Sequence, residues 1–387
     1  MNTFELLAQL AQRKTALSDY EYATRLQKNV PIYDCLRLTG VFGKTQDADA
    51  LKEELVAILV KGPGVFVLQG AYADIDVVDA VTQVFMSIIE QEKTKRVHGG
   101  DHFAESGAND RIWNSLEKLC IESPAVFARY HSNQWVRLAS EAWLGPAYQM
   151  TAQVNLVHPG GKSQSVHCDY HLGFMTQQQA ERFPAHVHEM SSRLTLQGAI
   201  AHVDMPTDSG PTRLLPYSQL WPDNYRLFRE QEVHELFDLH SVQVEMRKGD
   251  IIFFSPALLH AAGENRSQDI KRLANLLQVS SPFGRPMETV NRTAMCKRLY
   301  PVLVDEERRG QLGSAEVDAV IASTAEGYPF PTNLDTDPPL GGLAPLTQQA
   351  VFRKALAEKW TEKAFHIAID ERDMKRVSSH IEDDTSH

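Results

Sequence analysis

The chain has 387 residues, of which 43% are hydrophobic and 23% charged, and its formal net charge is −11. This composition is that of a soluble globular protein that can bury a full core. The acidic balance argues against a general nucleic-acid-binding protein, which needs a basic field. No stretch approaches the ~18 apolar residues of a membrane span, and no signal peptide is evident at the start. We therefore expect neither a nucleic-acid partner nor a membrane partner.

The four cysteines are scattered and show neither disulfide-framework nor zinc-site spacing; they are Cys35, Cys120, Cys168 and Cys296. Scattered cysteines are typical of a reduced protein, so we expect a cytoplasmic location.

The N-terminal half has mainly helical patterns. Residues 2–30 carry leucines at roughly helical spacing, which predicts a helical arm. Residues 95–112 include His98, Asp101 and His102, but the Gly-Gly pair among them favours an ordinary loop over a metal site, with a substrate-facing loop as the intermediate possibility. The other predicted elements are helices over 46–61 and 73–92, two helices within 114–146, and a buried strand at 65–68.

From residue 148 the pattern changes to short strands separated by turn signals. The predicted strands are 148–157, 164–174, 193–203, 212–216, 242–246, 251–254 and 271–280, with a polar insertion at 175–190. About eight short strands without a βαβ rhythm predict a mostly β core with flanking helices, in the form of a jelly-roll or barrel. Residues beyond 285 are irregular, apart from a helix at 344–368 and a polar tail from Ser378 that we expect to be disordered.

One strand contains the strongest chemical signal. His167 and Asp169 are two residues apart, so on a strand both side chains point to the same face. Together with a distant His260 they would make the two-histidine, one-carboxylate triad of non-haem Fe(II) oxygenases. A His-x-Asp pair alone is weak evidence, because about one is expected by chance in such a chain, and His202 and Asp204 form a rival pair.

The order of several motifs resembles the phytanoyl-CoA dioxygenase family of Fe(II)/2-oxoglutarate oxygenases over roughly residues 55–285. The motifs are the 64–68 strand, His167-Cys168-Asp169, the segment 208–218 that begins Asp-Ser-Gly-Pro, Lys248-Gly249-Asp250, His260, Asn265 and Arg272. The resemblance implies a double-stranded β-helix domain, cupin-like, at 55–285, between an N-terminal helical arm at 1–54 and a C-terminal extension at 286–387.

The resemblance also implies a site and a reaction. Its iron ligands fall on His167, Asp169 and His260, its 2-oxoglutarate arginine on Arg272, and a strand residue lining the cosubstrate on Gln153. The implied cofactors are Fe(II), 2-oxoglutarate and O2. The implied reaction hydroxylates or otherwise oxidises a small organic substrate and releases succinate and CO2. Because Asp169 is a carboxylate, where related halogenases have Gly or Ala, hydroxylation is favoured, with desaturation, epoxidation and cyclisation as alternatives.

Arg272 has two competitors for the cosubstrate role. Lys271 stands at the family's usual spacing from the second histidine, and Arg266 lies in the preceding loop. We favour Arg272 because a guanidinium binds a carboxylate through two parallel hydrogen bonds, which an ammonium cannot do.

The chain departs from the family at two places. Pro216-Tyr217-Ser218-Gln219 replaces the usual Pro-Gly-Ser-His, and Gln197-Gly198-Ala199 stands where a Trp is common. The primary substrate therefore stays open, including whether it is a CoA ester. The alternatives are a jelly-roll metal-binding protein and a cupin-type dioxygenase that does not use 2-oxoglutarate. The flanking helices offer a surface for a homodimer, although the pattern leaves the oligomeric state open.

Overall fold

The computed structural model describes residues 2–94, 108–169, 171 and 173–377, and these residues form two β-sheets and a set of helices. The eight strands of the large sheet have the order β1-β2-β3-β9-β6-β11-β5-β4, and the small sheet has the order β10-β7-β8. The strands are β1 (Arg25–Gln27), β2 (Val30–Asp34), β3 (Val65–Gln69), β4 (Asn109–Ile112), β5 (Gln149–Val157), β6 (Thr195–Ala201), β7 (Arg213–Leu214), β8 (Val242–Gln243), β9 (Ile251–Phe254), β10 (His260–Ala261) and β11 (Arg272–Ser280).

The two faces of the large sheet pack against different partners. On β9, Ile252 and Phe254 belong to an apolar cluster shared with Leu214 of the small sheet. Ile251 and Phe253 belong to the main core on the helical side. This division follows from the period-two alternation of side chains along a strand. Two facing sheets with an apolar layer between them confirm the predicted jelly-roll.

The described residues form fifteen α-helices, which pack around the two sheets. They are α1 (Thr3–Gln12), α2 (Cys35–Leu38), α3 (Thr45–Lys61), α4 (Ile75–Thr94), α5 (Ser115–Glu122), α6 (Pro124–His131), α7 (Gln134–Leu144), α8 (Gln177–Ala180), α9 (Ala185–Arg193), α10 (Asn224–Leu227), α11 (Gln231–His240), α12 (Arg292–Arg309), α13 (Ser314–Thr324), α14 (Gln348–Ala357) and α15 (Glu362–Val377). Leu51 of α3 and Phe365 of α15 belong to the same buried cluster as the sheet residue Phe253. Elements from both ends of the chain therefore pack on one core.

Four predicted elements need correction. Part of the loop predicted at 95–112 is strand β4, which pairs with β5. The N-terminal arm is helical only at Thr3–Gln12, and its later part supplies strands β1 and β2. The segment 164–174 is not a regular strand, because its described residues form one β-bridge, between His167 and His260, and otherwise only isolated backbone hydrogen bonds such as that from Asp169 N to Pro256 O. The region beyond 285 is not irregular: it holds α12 and α13, and residues 344–368 contain parts of two helices rather than one.

Two further expectations concern the chain as a whole. All four cysteines are buried and free of disulfide bonds, as predicted. In the described part of the chain, no helix combines the length and the apolar character needed to cross a membrane. The expectations for residues 95–107 and for the tail from Ser378 lie outside the described residues.

Candidate metal centre and active-site cavity

Backbone pairing brings the two predicted histidine ligands together. The amide of His167 donates to the carbonyl of His260 at 2.9 Å, and the amide of His260 donates back at 2.8 Å. β10 in turn pairs with β7, where His260 lies opposite Leu214. The amide of Asp169 donates to Pro256 O at 2.9 Å, which holds the carboxylate-bearing residue beside the same segment. Backbone hydrogen bonds to β10 and to the segment that precedes it therefore hold all three residues close together.

Both imidazoles are oriented through their Nδ1 atoms. His167 Nδ1 lies 2.9 Å from Ser165 O, and His260 Nδ1 lies 2.8 Å from Leu258 O. A carbonyl oxygen only accepts hydrogen bonds, so each Nδ1 carries the proton and each Nε2 keeps its lone pair for another partner. Burial, followed by the nearby His167, lowers the pKa of His260, which keeps this imidazole neutral and able to bind a metal.

The donor set fits a divalent transition metal. One ligand atom from each of His167, Asp169 and His260 lies within 4.8 Å of the others, and His260 Nε2 is 3.8 Å from Asp169 Oδ2. Gln197 Nε2 also donates a hydrogen bond to Asp169 Oδ2. Two imidazoles and one carboxylate leave open coordination positions, which is the arrangement typical of non-haem Fe(II). Among the described residues no other group of three such side chains could hold a metal.

Arg272 is a buried cation that opens on the same cavity. It is 7% exposed, and its Nη1 donates to Ser209 O at 3.1 Å and to Gly263 O at 3.0 Å. Within the described chain, no carboxylate forms an ion pair with it. Burial alone lowers its pKa to about 10, so it stays charged at neutral pH. The competitors lie elsewhere: Lys271 is exposed, and Arg266 pairs at the surface with Glu264 at 2.6 Å.

The Asp-Ser-Gly turn explains why Arg272 is held in place. Gly210 has a φ of +73°, and a Cβ there would lie 2.3 Å from Glu264 O, so a larger residue would push the two loops apart. This close approach brings Ser209 O and Gly263 O to the same guanidinium nitrogen. The motif that carried the family resemblance thus shapes the socket of the arginine.

Gln153 lies on the inner face of β5 and lines the same cavity. Its Oε1 accepts a hydrogen bond from Arg111 Nη1 at 2.9 Å, and its Nε2 is 3.4 Å from Met287 Sδ. Arg111 also stacks over the ring of Trp113, with its Cζ 5.0 Å from the ring centroid. Trp113 also lines the cavity.

The cavity has a volume of about 1190 Å³ and contains every predicted site residue in its lining. Polar groups such as Asn155 alternate with apolar ones such as Ile252 and Phe254. Pockets for small ligands commonly measure about 300–1,000 Å³. The space therefore accommodates a substrate larger than 2-oxoglutarate beside the metal centre.

The rival pair is not a metal site. His202 Nε2 lies 2.8 Å from Tyr130 Oη, and its Nδ1 lies 2.8 Å from Thr82 Oγ1, so both nitrogens are engaged on the helical side of the sheet. Asp204 is exposed and accepts a hydrogen bond from Lys248 N at 2.9 Å. His171, two residues beyond Asp169, lies with its Nδ1 2.9 Å from Thr195 Oγ1.

Sequence reasoning noted Gln197 only as a departure from the family, although it contacts the carboxylate of Asp169, a candidate metal ligand. A signal was present: Gln197, Ala199 and Ala201 share one face of β6, and that face lines the cavity. A lone glutamine on an otherwise small apolar face marks a polar role in the cavity.

A jelly-roll that carries a cluster of two histidines and one carboxylate is typical of the non-haem Fe(II) oxygenases. The model of the family described as phytanoyl-CoA dioxygenase matches residues 42–273, more than half of the chain. The chain belongs to this family.

Several curated relatives are fungal dioxygenases. The dioxygenase olcK of Penicillium canescens is 29% identical over 197 residues, which cover 51% of this chain and 55% of the relative. The dioxygenase andF of Emericella variicolor is 23% identical over 158 residues, covering 40% and 50%. The dioxygenase trt7 of Aspergillus terreus is 23% identical over 231 residues, covering 59% and 70%. The chain thus spans about half the length of the first two of these relatives.

Solved structures show a weaker likeness. The epimerase SnoN from nogalamycin biosynthesis, described as non-haem and α-ketoglutarate-dependent, has 19% identity and a TM-score of 0.43, covering 60% of this chain and 82% of its own. EctD from S. alaskensis, solved with 2-oxoglutarate and 5-hydroxyectoine, has 16% identity and a TM-score of 0.42, covering 60% and 77%. These similarities add nothing to the family assignment.

Proposed function

We propose that the protein is an Fe(II)- and 2-oxoglutarate-dependent oxygenase that hydroxylates a small organic substrate, with release of succinate and CO2. The observation that carries this proposal is one cavity that holds both the His167, Asp169 and His260 cluster and the buried Arg272. The dioxygenase names of the fungal relatives support the same class of reaction.

Each group has a task in this proposal. His167, Asp169 and His260 would hold the iron through two Nε2 atoms and a carboxylate oxygen. Arg272 would bind the far carboxylate of 2-oxoglutarate, since it is a buried cation whose recorded partners are two backbone carbonyls. When bound, the iron and 2-oxoglutarate supply the oxidising chemistry with O2. The cavity would place the substrate beside them.

The alternatives are less well supported. A metal-binding protein without 2-oxoglutarate, or a cupin-type dioxygenase, has no need of a buried guanidinium without an acidic partner. A cation in that position costs free energy of desolvation unless an anion joins it. We therefore infer that Arg272 is buried there in order to bind a dicarboxylate.

The test is conversion of 2-oxoglutarate to succinate in air by Fe(II)-loaded protein. We expect slow succinate formation by the wild type and by Lys271→Ala, whose side chain is exposed. Arg272→Ala should require about 100-fold more 2-oxoglutarate, because a buried charge-assisted contact is lost. Absence of succinate in the wild type, together with absence of 2-oxoglutarate binding, would contradict the proposal.

A further inference from the structure

Gln197 combines two features that the metal centre alone does not explain. It is 3% exposed on β6 and lines the cavity. Its Nε2 donates to Asp169 Oδ2, whereas its Oε1 is buried and has no hydrogen-bond partner. The orientation of the amide is fixed, because an ionised carboxylate accepts hydrogen bonds only and so must face the NH2 group.

A buried oxygen without a partner costs folding free energy, so its persistence calls for an explanation. 2-Oxoglutarate cannot supply the missing partner, since its two carboxylates and its keto group are all acceptors at neutral pH. The partner must be a donor, either a hydroxyl or N–H group of the substrate or a water molecule. Ala199, Ile252 and Phe254 are apolar and offer no donor side chain. Gln278, which lies opposite Gln197 on β11, carries an amide donor and lines the cavity, yet it forms no hydrogen bond to Gln197 Oε1.

We propose that Gln197 determines specificity: its Nε2 holds Asp169, and its Oε1 accepts a hydrogen bond from a hydroxyl or N–H group on the substrate. This inference rests on the proposed function, and it names the substrate class as a bulky, largely apolar molecule with a donor group close to the metal centre. A site built to pair with a donor rejects an analogue that lacks it, because its own polar atom would stay unpaired.

The experiment is anaerobic calorimetric titration of the Fe(II)-loaded protein with 2-naphthol and with 2-methoxynaphthalene. The two probes share a ring system, but only the naphthol can donate a hydrogen bond. We expect the wild type to bind the naphthol about fivefold more tightly than the ether, which is the usual worth of one hydrogen bond. The titration measures probe affinity and needs no turnover, so it can be made with or without 2-oxoglutarate. A failure of this inference can therefore be told apart from a failure of the proposed oxygenase function.

Two variants separate the two roles of the amide. Gln197→Lys keeps a donor toward Asp169 and loses the acceptor, whereas Gln197→Met loses both. We expect both variants to bind the two probes equally, because each of them lacks the acceptor. Gln349→Met is the matched control, since Gln349 is a buried glutamine on α14, 4% exposed, that bonds to Ala325 O away from the cavity.

The control should keep the fivefold preference. Three results would overturn the proposal: equal affinities of the wild type for the two probes, no measurable binding of either probe, or an unchanged preference in Gln197→Lys and Gln197→Met. In each case the amide would serve Asp169 and a water molecule rather than the substrate.

Discussion

The chain contains two His-x-Asp pairs that lie in different surroundings. His167 and Asp169 line the cavity together with His260. His202 is buried on the helical side of the large sheet between Tyr130 and Thr82, while the exposed Asp204 holds the turn at Lys248. The same spacing therefore yields a candidate metal site in one place and a structural network in the other.

The two pairs differ in the direction in which their histidine side chains point, either into the cavity or into the main core. On β6, Ala199 and Ala201 face the cavity, so His202 continues the alternate face with Ile200, which belongs to the main core. His167 lies instead beside β10, which supplies His260 at bonding distance. A metal site thus needs a third ligand brought in by long-range pairing, which local spacing does not encode.

The largest expected effect separates the two aspartates. Asp169→Ala should weaken Fe(II) binding on the order of 1000-fold, beyond the 10–100-fold loss typical of a residue that only supports a ligand. Asp204→Ala should leave the affinity unchanged. Anaerobic equilibrium dialysis measures the Fe(II) affinity of both variants. Equal losses of affinity in the two variants would contradict the assignment of the metal site to the His167 and Asp169 pair.

A second contrast concerns the histidines. His202→Ala should lower the free energy of unfolding by about 3 kcal/mol, because it removes the two buried hydrogen bonds to Tyr130 Oη and Thr82 Oγ1 and leaves a cavity where the imidazole was. Metal affinity should persist. Chemical denaturation of the metal-free protein provides the measurement, with His167→Ala as the control that should lose metal but little stability. A stable His202→Ala protein would show that the network is dispensable.

Acidification should sharpen the same contrast. Burial lowers the pKa of His202 to about 3, far below the ~6.5 of an unfolded histidine. Between these two pKa values His202 is protonated in the unfolded chain but not in the folded chain. The free energy of unfolding therefore falls as the pH drops, by up to about 1.4 kcal/mol per pH unit. Above pH ~6.5 the full stability is kept. Denaturation of wild type and His202→Gln from pH 7 to 5 should show a shallower decline in the variant, and parallel declines would refute the assignment.

The smallest effect belongs to Asp204 itself. Its carboxylate accepts one hydrogen bond, from Lys248 N, at an exposed turn. Asp204→Asn should therefore change the free energy of unfolding by about 0.5 kcal/mol or less. A loss of several kcal/mol in denaturation would mean that this pair carries structure through its aspartate as well.

Much of the fold followed from local patterns. β9 was predicted at 251–254, as observed. The turn at Gly249 indicates where the strand begins, and its four consecutive apolar residues indicate that it is buried. The main helical error came beyond residue 285. α12 contains Pro301, which normally ends a helix, and this masked the spacing of Met295, Leu299 and Leu303 on its buried face.

The site was predictable in its residue types but not in its surroundings. The spacing and the family resemblance selected His167, Asp169, His260 and Arg272, and the structure brings all four to one cavity. The orphaned oxygen of Gln197 could not be foreseen, because it depends on the contact with Asp169 across the barrel. The domain limits at 54 and 285 stay predictions, as do the roles of the site residues.

The most direct test of the account is anaerobic titration of the Fe(II)-loaded protein with 2-oxoglutarate, followed by visible absorbance. The account predicts a weak charge-transfer band that saturates at one equivalent per chain, since the keto acid would meet the iron at His167, Asp169 and His260. Iron that is bound without any band, at any concentration of 2-oxoglutarate, would contradict it.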